Sequence, residues 1–161
     1  MAKFYLCLGG NIGNTRKIFE EAIDKIESQI GKIINSSVLF KSEPWGFESV
    51  QLFLNQVIVV DSNIPADRVL EKCLEIELNM GRVRGNSGYI SRNIDIDILF
   101  VDSEIINTNK LTVPHPLLHK RNFVLKPLCS IAPNFVHPVL KKDIATLLSE
   151  CDDTLGCEPL V

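Results

Sequence analysis

Asp95 and Asp97 stand two residues apart in the run Ile94-Asp95-Ile96-Asp97-Ile98. On a β-strand, residues two apart share a face, so the isoleucines point one way and the carboxylates the other. Two steps of about 3.3 Å would separate the aspartate Cα atoms by about 6.6 Å. Carboxylates that close repel unless a cation lies between them. An all-oxygen pair suits magnesium, which commonly takes one or two carboxylates together with phosphate oxygens. Manganese would accept the same ligands. The alternative is a solvated outer face on an edge strand. The neighbouring basic residues favour the cation. Arg82 and Arg84 in Gly81-Arg82-Val83-Arg84-Gly85, and Arg92 in Ser91-Arg92-Asn93, bracket a Gly/Asn/Ser loop that leads into the Asp strand. A guanidinium presents a planar fork matched to phosphate oxygens. A loop carrying arginines beside a magnesium site has the parts of a phosphoryl-transfer lid. The competing reading pairs the same arginines with surface carboxylates.

Other groups surround these. His115 lies between Pro114 and Pro116, which would hold it in a fixed extended segment; His119, Lys120 and Arg121 add positive charge just beyond. A lone histidine is also a common structural residue. Trp45-Gly46-Phe47 and Phe53-Leu54-Asn55 supply aromatic faces and an amide. Aromatic faces stack on planar rings, and an amide can read the edge of a heterocycle with one donor and one acceptor. Core packing for Phe53 and a turn for Trp45 are the alternatives. Gly9-Gly10-Asn11-Ile12-Gly13 has neither the spacing of a dinucleotide fingerprint nor the Gly-Lys-Ser/Thr of a P-loop.

The elements that must position these residues follow from periodicity. Lys3–Leu8 alternates as a half-buried strand, with Phe4, Leu6 and Leu8 on one side and Tyr5 and Cys7 on the other. The glycine cluster at 9–14 reads as a turn, with Asn14 or Thr15 capping the next helix. That helix carries Ile18, Phe19, Ala22, Ile23, Ile26 and Ile30 as one stripe, ending near Gly31. Ile33–Lys41 and Phe53–Asp61 are β-prone, with a loop over 42–49 between them. Pro65 opens a second helix to about Met80, with Val69, Leu70, Cys73, Leu74, Ile76, Glu77 and Met80 on its inner or partly inner face. Residues 82–93 read as irregular, and Ile94–Val101 as a strand. The order β-α-β-β-α-β predicts an α+β, ferredoxin-like sandwich with helices packed on an antiparallel sheet. C-terminal helical additions are expected at 120–131, interrupted by Pro127, and at 143–151.

Composition bounds the rest. The chain has 161 residues, 45% hydrophobic and 23% charged, the size and make-up of one domain spanning 1–161. Seventeen basic residues against 20 acidic ones give a net charge of -3, which argues against a generally basic nucleic-acid surface. No apolar run approaches the roughly 18–20 residues that would span a bilayer. Gly9, Gly10 and Asn11 end the N-terminal apolar run before a signal-peptide core could form. Five cysteines, an odd number without Cys-x-x-Cys, suggest reduced thiols, little prospect of zinc, and a cytoplasmic protein. Cys151 with Cys157 is a minor alternative pairing.

Blocks along nearly the whole chain resemble 6-hydroxymethyl-7,8-dihydropterin pyrophosphokinases of folate biosynthesis. They are Leu8–Gly13, Pro44-Trp45-Gly46, Phe53-Leu54-Asn55, Ile76-Glu77, Gly81–Arg84, Arg92–Leu99, Leu111–Pro116 and Arg121–Leu128. The resemblance implies transfer of diphosphate from ATP, the co-substrate, to the pterin hydroxymethyl oxygen with release of AMP. It implies two magnesium ions held by Asp95 and Asp97. Arg82 and Arg92 would neutralise phosphate, with Arg84, His115 and Arg121 assisting. Glu77, Ile98, Lys110, Leu111 and Thr112 would lie along the nucleotide. Phe53 and Phe123 would sandwich the pterin, and Asn55 with Ser42, Glu43, Pro44, Trp45 and Gly46 would read its edge. Leu74 and Gly88-Tyr89-Ile90-Ser91 depart from the family's common Gln and Trp-Gly-Pro. Small-molecule substrates and a monomer are expected, with no nucleic acid or membrane partner. A magnesium-dependent phosphohydrolase and a non-catalytic metabolite-binding regulatory domain are the competing readings.

Overall fold

A computed structural model describes residues 1–10, 14–42, 53–80, 83–84, 90–91 and 94–160. In chain order the elements are β1 (Ala2–Gly10), α1 (Thr15–Gln29), β2 (Lys32–Ser36), β3 (Phe40–Ser42), β4 (Phe53–Ser62) and α2 (Ala66–Asn79). There follow β5 (Val83–Arg84), β6 (Ile90–Ser91), β7 (Asp95–Val101), β8 (Ile106–Asn107) and β9 (Thr112–Val113). A 3₁₀ turn at Leu118–Lys120 precedes α3 (Asn122–Ile131), α4 (Ile144–Ser149) and β10 (Cys157–Pro159).

The main sheet runs β10-β3-β4-β1-β7, with β2 also on β4, and every pairing is antiparallel. With α1 and α2 this is the expected ferredoxin-like arrangement. On one face Phe4, Leu6, Leu8, Ile58, Val60, Ile96 and Ile98 meet Phe19, Ala22 and Ile26 of α1 and Val69, Cys73 and Ile76 of α2. The 3.6-residue stripes of the helices and the two-residue alternation of the strands meet in that layer.

The second face is where the structure departs from a half-buried strand. Cys7, Val57, Leu99 and Phe100 are covered by Leu118, Val124, Leu125, Leu128, Ile144 and Leu147. Tyr5, Phe100 and Phe135 form an aromatic cluster, with ring centroids 4.6–5.8 Å apart. Each such pair adds about 0.5–1.5 kcal/mol beyond its buried area. Periodicity in β1 could not reveal this layer, because it is supplied by residues more than a hundred positions away.

Local expectations change too. Gly9 and Gly10 are not a turn but the last residues of β1, paired to Asn55 and Leu54. Asn14 is the N-cap of α1, its Oδ1 accepting from the Lys17 amide. The segment 33–41 divides into β2 and β3 because Ser37 breaks the ladder. Its Oγ accepts from the Val57 amide at 3.0 Å, in place of a backbone carbonyl. Leu74 is 44% exposed rather than inward. Residues 82–93 are not wholly irregular, since β5 pairs with β6. Pro127 does not interrupt α3; it is buried within the helix among Val124, Leu125 and Leu128. The last helix stops at Ser149, short of Cys151. All five cysteines are free thiols. Among the described residues no helix is long and apolar enough to cross a membrane.

Candidate functional site

The site is built on the face of the sheet that carries α3 and α4. Ile94, just before β7, and Ile96 and Ile98 within it are buried in the α1/α2 layer while Asp95 and Asp97 are exposed. Cross-strand register extends their face. Asp95 opposes Gly9, and Gly9 opposes Asn55; Asp97 opposes Cys7, and Cys7 opposes Val57. Directly opposed residues point to the same side of a sheet. The carboxylates and the Asn55 amide therefore share one face, two strand spacings of about 4.8 Å apart.

A side chain at Gly9 would obstruct this arrangement. A Cβ there would lie 3.1 Å from Asn55 Oδ1. Asn55 is 3% exposed and donates through Nδ2 to Ser42 Oγ at 2.9 Å. Phe53, half-buried, is the register partner of Ser42.

The outer edge of β7 is pinned from two sides. Glu77, 2% exposed, accepts from the Ile96 amide through Oε1 at 2.6 Å, between the two aspartates. The His115 amide donates to the Leu99 carbonyl at 3.0 Å. His115 Nδ1 in turn accepts from the Leu117 amide at 3.2 Å. A nitrogen facing an N–H donor carries no proton of its own, so neutral His115 is the Nε2–H tautomer. Burial holds its pKa below 6.5; Asp97 opposes that shift and Arg121 adds to it.

Arg121 and Phe123 flank the start of α3. The guanidinium carbon is 5.5 Å from the Phe123 ring centroid, a cation–π contact between residues expected to serve different ligands. Lys110 and Thr112 are exposed and Leu111 half-buried on the β8–β9 hairpin. The Thr108 hydroxyl closes its tip by accepting from the Leu111 amide. Ile98 is 4% exposed within the α1/α2 layer, so its side chain does not face a nucleotide on the Asp95/Asp97 side. Arg84 is in β5. Glu43, Pro44, Trp45, Gly46, Arg82 and Arg92 lie outside the described residues.

The donor set fits magnesium. It offers two exposed same-face carboxylates. The nearby softer groups do not compete: His115 Nδ1 is engaged, and burial, with Asp97 next, pushes the Cys7 thiol pKa far up, keeping it protonated. The roles of Gly9 and Cys7 escaped the sequence reading. Only register reveals that Gly9 lies between Asp95 and Asn55, and Cys7 between Asp97 and Val57.

Residues 5–133 match the family model described as 7,8-dihydro-6-hydroxymethylpterin-pyrophosphokinase (HPPK). A 2-amino-4-hydroxy-6-hydroxymethyldihydropteridine pyrophosphokinase of Aquifex aeolicus is 38% identical over 144 residues, 89% of each chain. The folic acid synthesis protein fol1 of Pneumocystis carinii is 37% identical over 92% of this chain but only 20% of its own length. Among solved structures, a Plasmodium falciparum HPPK-DHPS chain superposes with a TM-score of 0.72 at 20% identity. It covers 92% of this chain and 44% of the Plasmodium one, and it shows a shared fold.

Proposed function

The chain belongs to the 7,8-dihydro-6-hydroxymethylpterin-pyrophosphokinase family, and we infer from this that it moves diphosphate from ATP to the hydroxymethyl oxygen of 6-hydroxymethyl-7,8-dihydropterin. AMP is the other product, and the reaction serves folate synthesis. The observation that supports it best is the shared rung Asp95–Gly9–Asn55. A flat heterocycle read by Asn55 would have its substituent beside the carboxylates.

In this reading Asp95 and Asp97 hold a pair of magnesium ions. When bound, magnesium neutralises triphosphate charge and eases loss of the hydroxymethyl proton. The remaining work is positioning and charge stabilisation, with no covalent intermediate. Glu77 fixes the backbone between the aspartates through the Ile96 amide. His115 offers Nε2–H as a neutral donor to a phosphate oxygen. Arg82 and Arg92 are assigned to the transferring phosphates, and Arg84 and Arg121 to assisting them. Phe53 and Phe123 stack on the pterin, while Ser42 orients the Asn55 amide toward its edge. Residues 43–46 complete that edge, and Lys110, Leu111 and Thr112 follow the nucleoside. All these roles are assigned within one chain, which supports a monomer acting on small molecules; the free thiols support the cytoplasm.

The test is AMP formation with ATP, magnesium and the hydroxymethyl dihydropterin, each omitted in turn. Wild-type protein should need all three, and Asp97→Asn should lower turnover by about 10²- to 10³-fold with its melting curve unchanged. AMP or phosphate release without the pterin would overturn the assignment. Near-normal turnover of Asp97→Asn would remove the metal role.

A further inference from the structure

We propose that Asp153 is a positioning residue for pterin binding, and that the tail it belongs to clamps both walls of the pterin pocket. This rests on the pterin-site reading given above. Helix α3 starts beside Phe123, yet its N-cap, Arg121, makes no side-chain capping bond. The cap comes instead from far along the chain. Asp153 Oδ2 accepts from the Asn122 amide at 3.0 Å, and the Asp153 carbonyl accepts from Asn122 Nδ2 at 2.7 Å. Asp153 Oδ1 accepts from the Leu155 amide at 2.9 Å, which fixes the carboxylate itself. A carboxylate at this end of a ten-residue helix satisfies an otherwise unpaired amide and complements the helix dipole. It thereby sets the start of the turn that aims Phe123.

The same tail reaches the opposite wall. Cys157 of β10 pairs with Ser42 of β3, the residue that holds the Asn55 amide. The Lys126 ammonium of α3 donates to the Cys157 carbonyl at 2.9 Å, and the Leu160 amide to the Leu39 carbonyl at 2.8 Å. The tail therefore ties α3, which carries Phe123, to β3, which carries Ser42. Neither link touches the aspartates, and Arg121 is the nucleotide-side residue at this end of α3, so loss of the clamp should weaken pterin binding more than ATP binding.

The experiment measures steady-state AMP formation by full-length wild type, Asp153→Ala and Asp153→Asn, varying pterin and ATP separately. Asp153→Ala should raise KM for the pterin about tenfold and KM for ATP by clearly less, through Arg121. Asp153→Asn keeps one acceptor oxygen for the Asn122 amide and should recover part of the loss. A variant that was merely less folded would lose kcat with the folded fraction and keep its KM. Unchanged pterin KM in Asp153→Ala, or a loss confined to kcat, would overturn the proposal while wild-type turnover upheld the family reading. Failure of wild-type protein to use the pterin would overturn both.

Discussion

Asp97 acts on three titratable neighbours at once. It adds to burial in raising the Cys7 thiol, comes after burial and Glu77 in pushing Cys73 up to about 12, and opposes burial at His115. The Asp pair was legible in the sequence because it needs only two-residue alternation. Its coupling to Cys7 was not, because that depends on strand register. A second histidine makes a prediction of its own. His137 is 4% exposed, and its Nδ1 accepts from the Val139 and Leu140 amides. Burial, with His119 next, lowers its pKa below 6.5. The unfolded chain therefore takes up a proton more readily than the folded one as pH falls through 6.5. Stability is complete above that pH and declines below it. His137→Gln retains an acceptor and cannot titrate, so its urea midpoint should fall less than wild type's between pH 7.5 and 5.5. Equal slopes would show that His137 contributes nothing to acid sensitivity.

At the scale of elements, the first βαββαβ unit was readable because helix stripes and strand alternation are local signals. Its breaks were not. Ser37 divides β2 from β3 by putting a hydroxyl into the ladder, and serine carries no such instruction in sequence. Pro127 remains inside α3 because burial of Val124, Leu125 and Leu128 offsets the missing amide bond. Strand β10 was missed because its pairing with β3 spans more than a hundred residues. The turn between α1 and β2 is tightly constrained. A Cβ at Gly31 would run into the Asp61 carbonyl of β4, which is backbone and cannot swing aside. Gly31→Ala should cost about 3 kcal/mol by forced displacement of that strand. Urea denaturation measures it; a loss within error of zero would show that the turn relaxes freely.

At the scale of the whole molecule, the sheet divides the labour between its faces. The α1/α2 face is closed and apolar, and buries the alternate residues of the same β7 strand that presents Asp95 and Asp97 on the other side. The second face is apolar under α3 and α4 and polar toward the Asp95–Gly9–Asn55 rung. The net charge of -3 averages over this division, so composition excluded a broadly basic surface and said nothing of a local anion site. Tertiary assembly of the second face was the least legible feature, since α3, α4 and β10 have meaning only against β1, β3 and β4. The central claim is that two phosphoryl groups leave ATP together. Following the wild-type reaction by ³¹P NMR tests it most directly. The account predicts AMP and a pterin ester carrying two coupled phosphorus resonances, in equal amounts; ADP with a pterin monophosphate, or ADP with free phosphate, would contradict it.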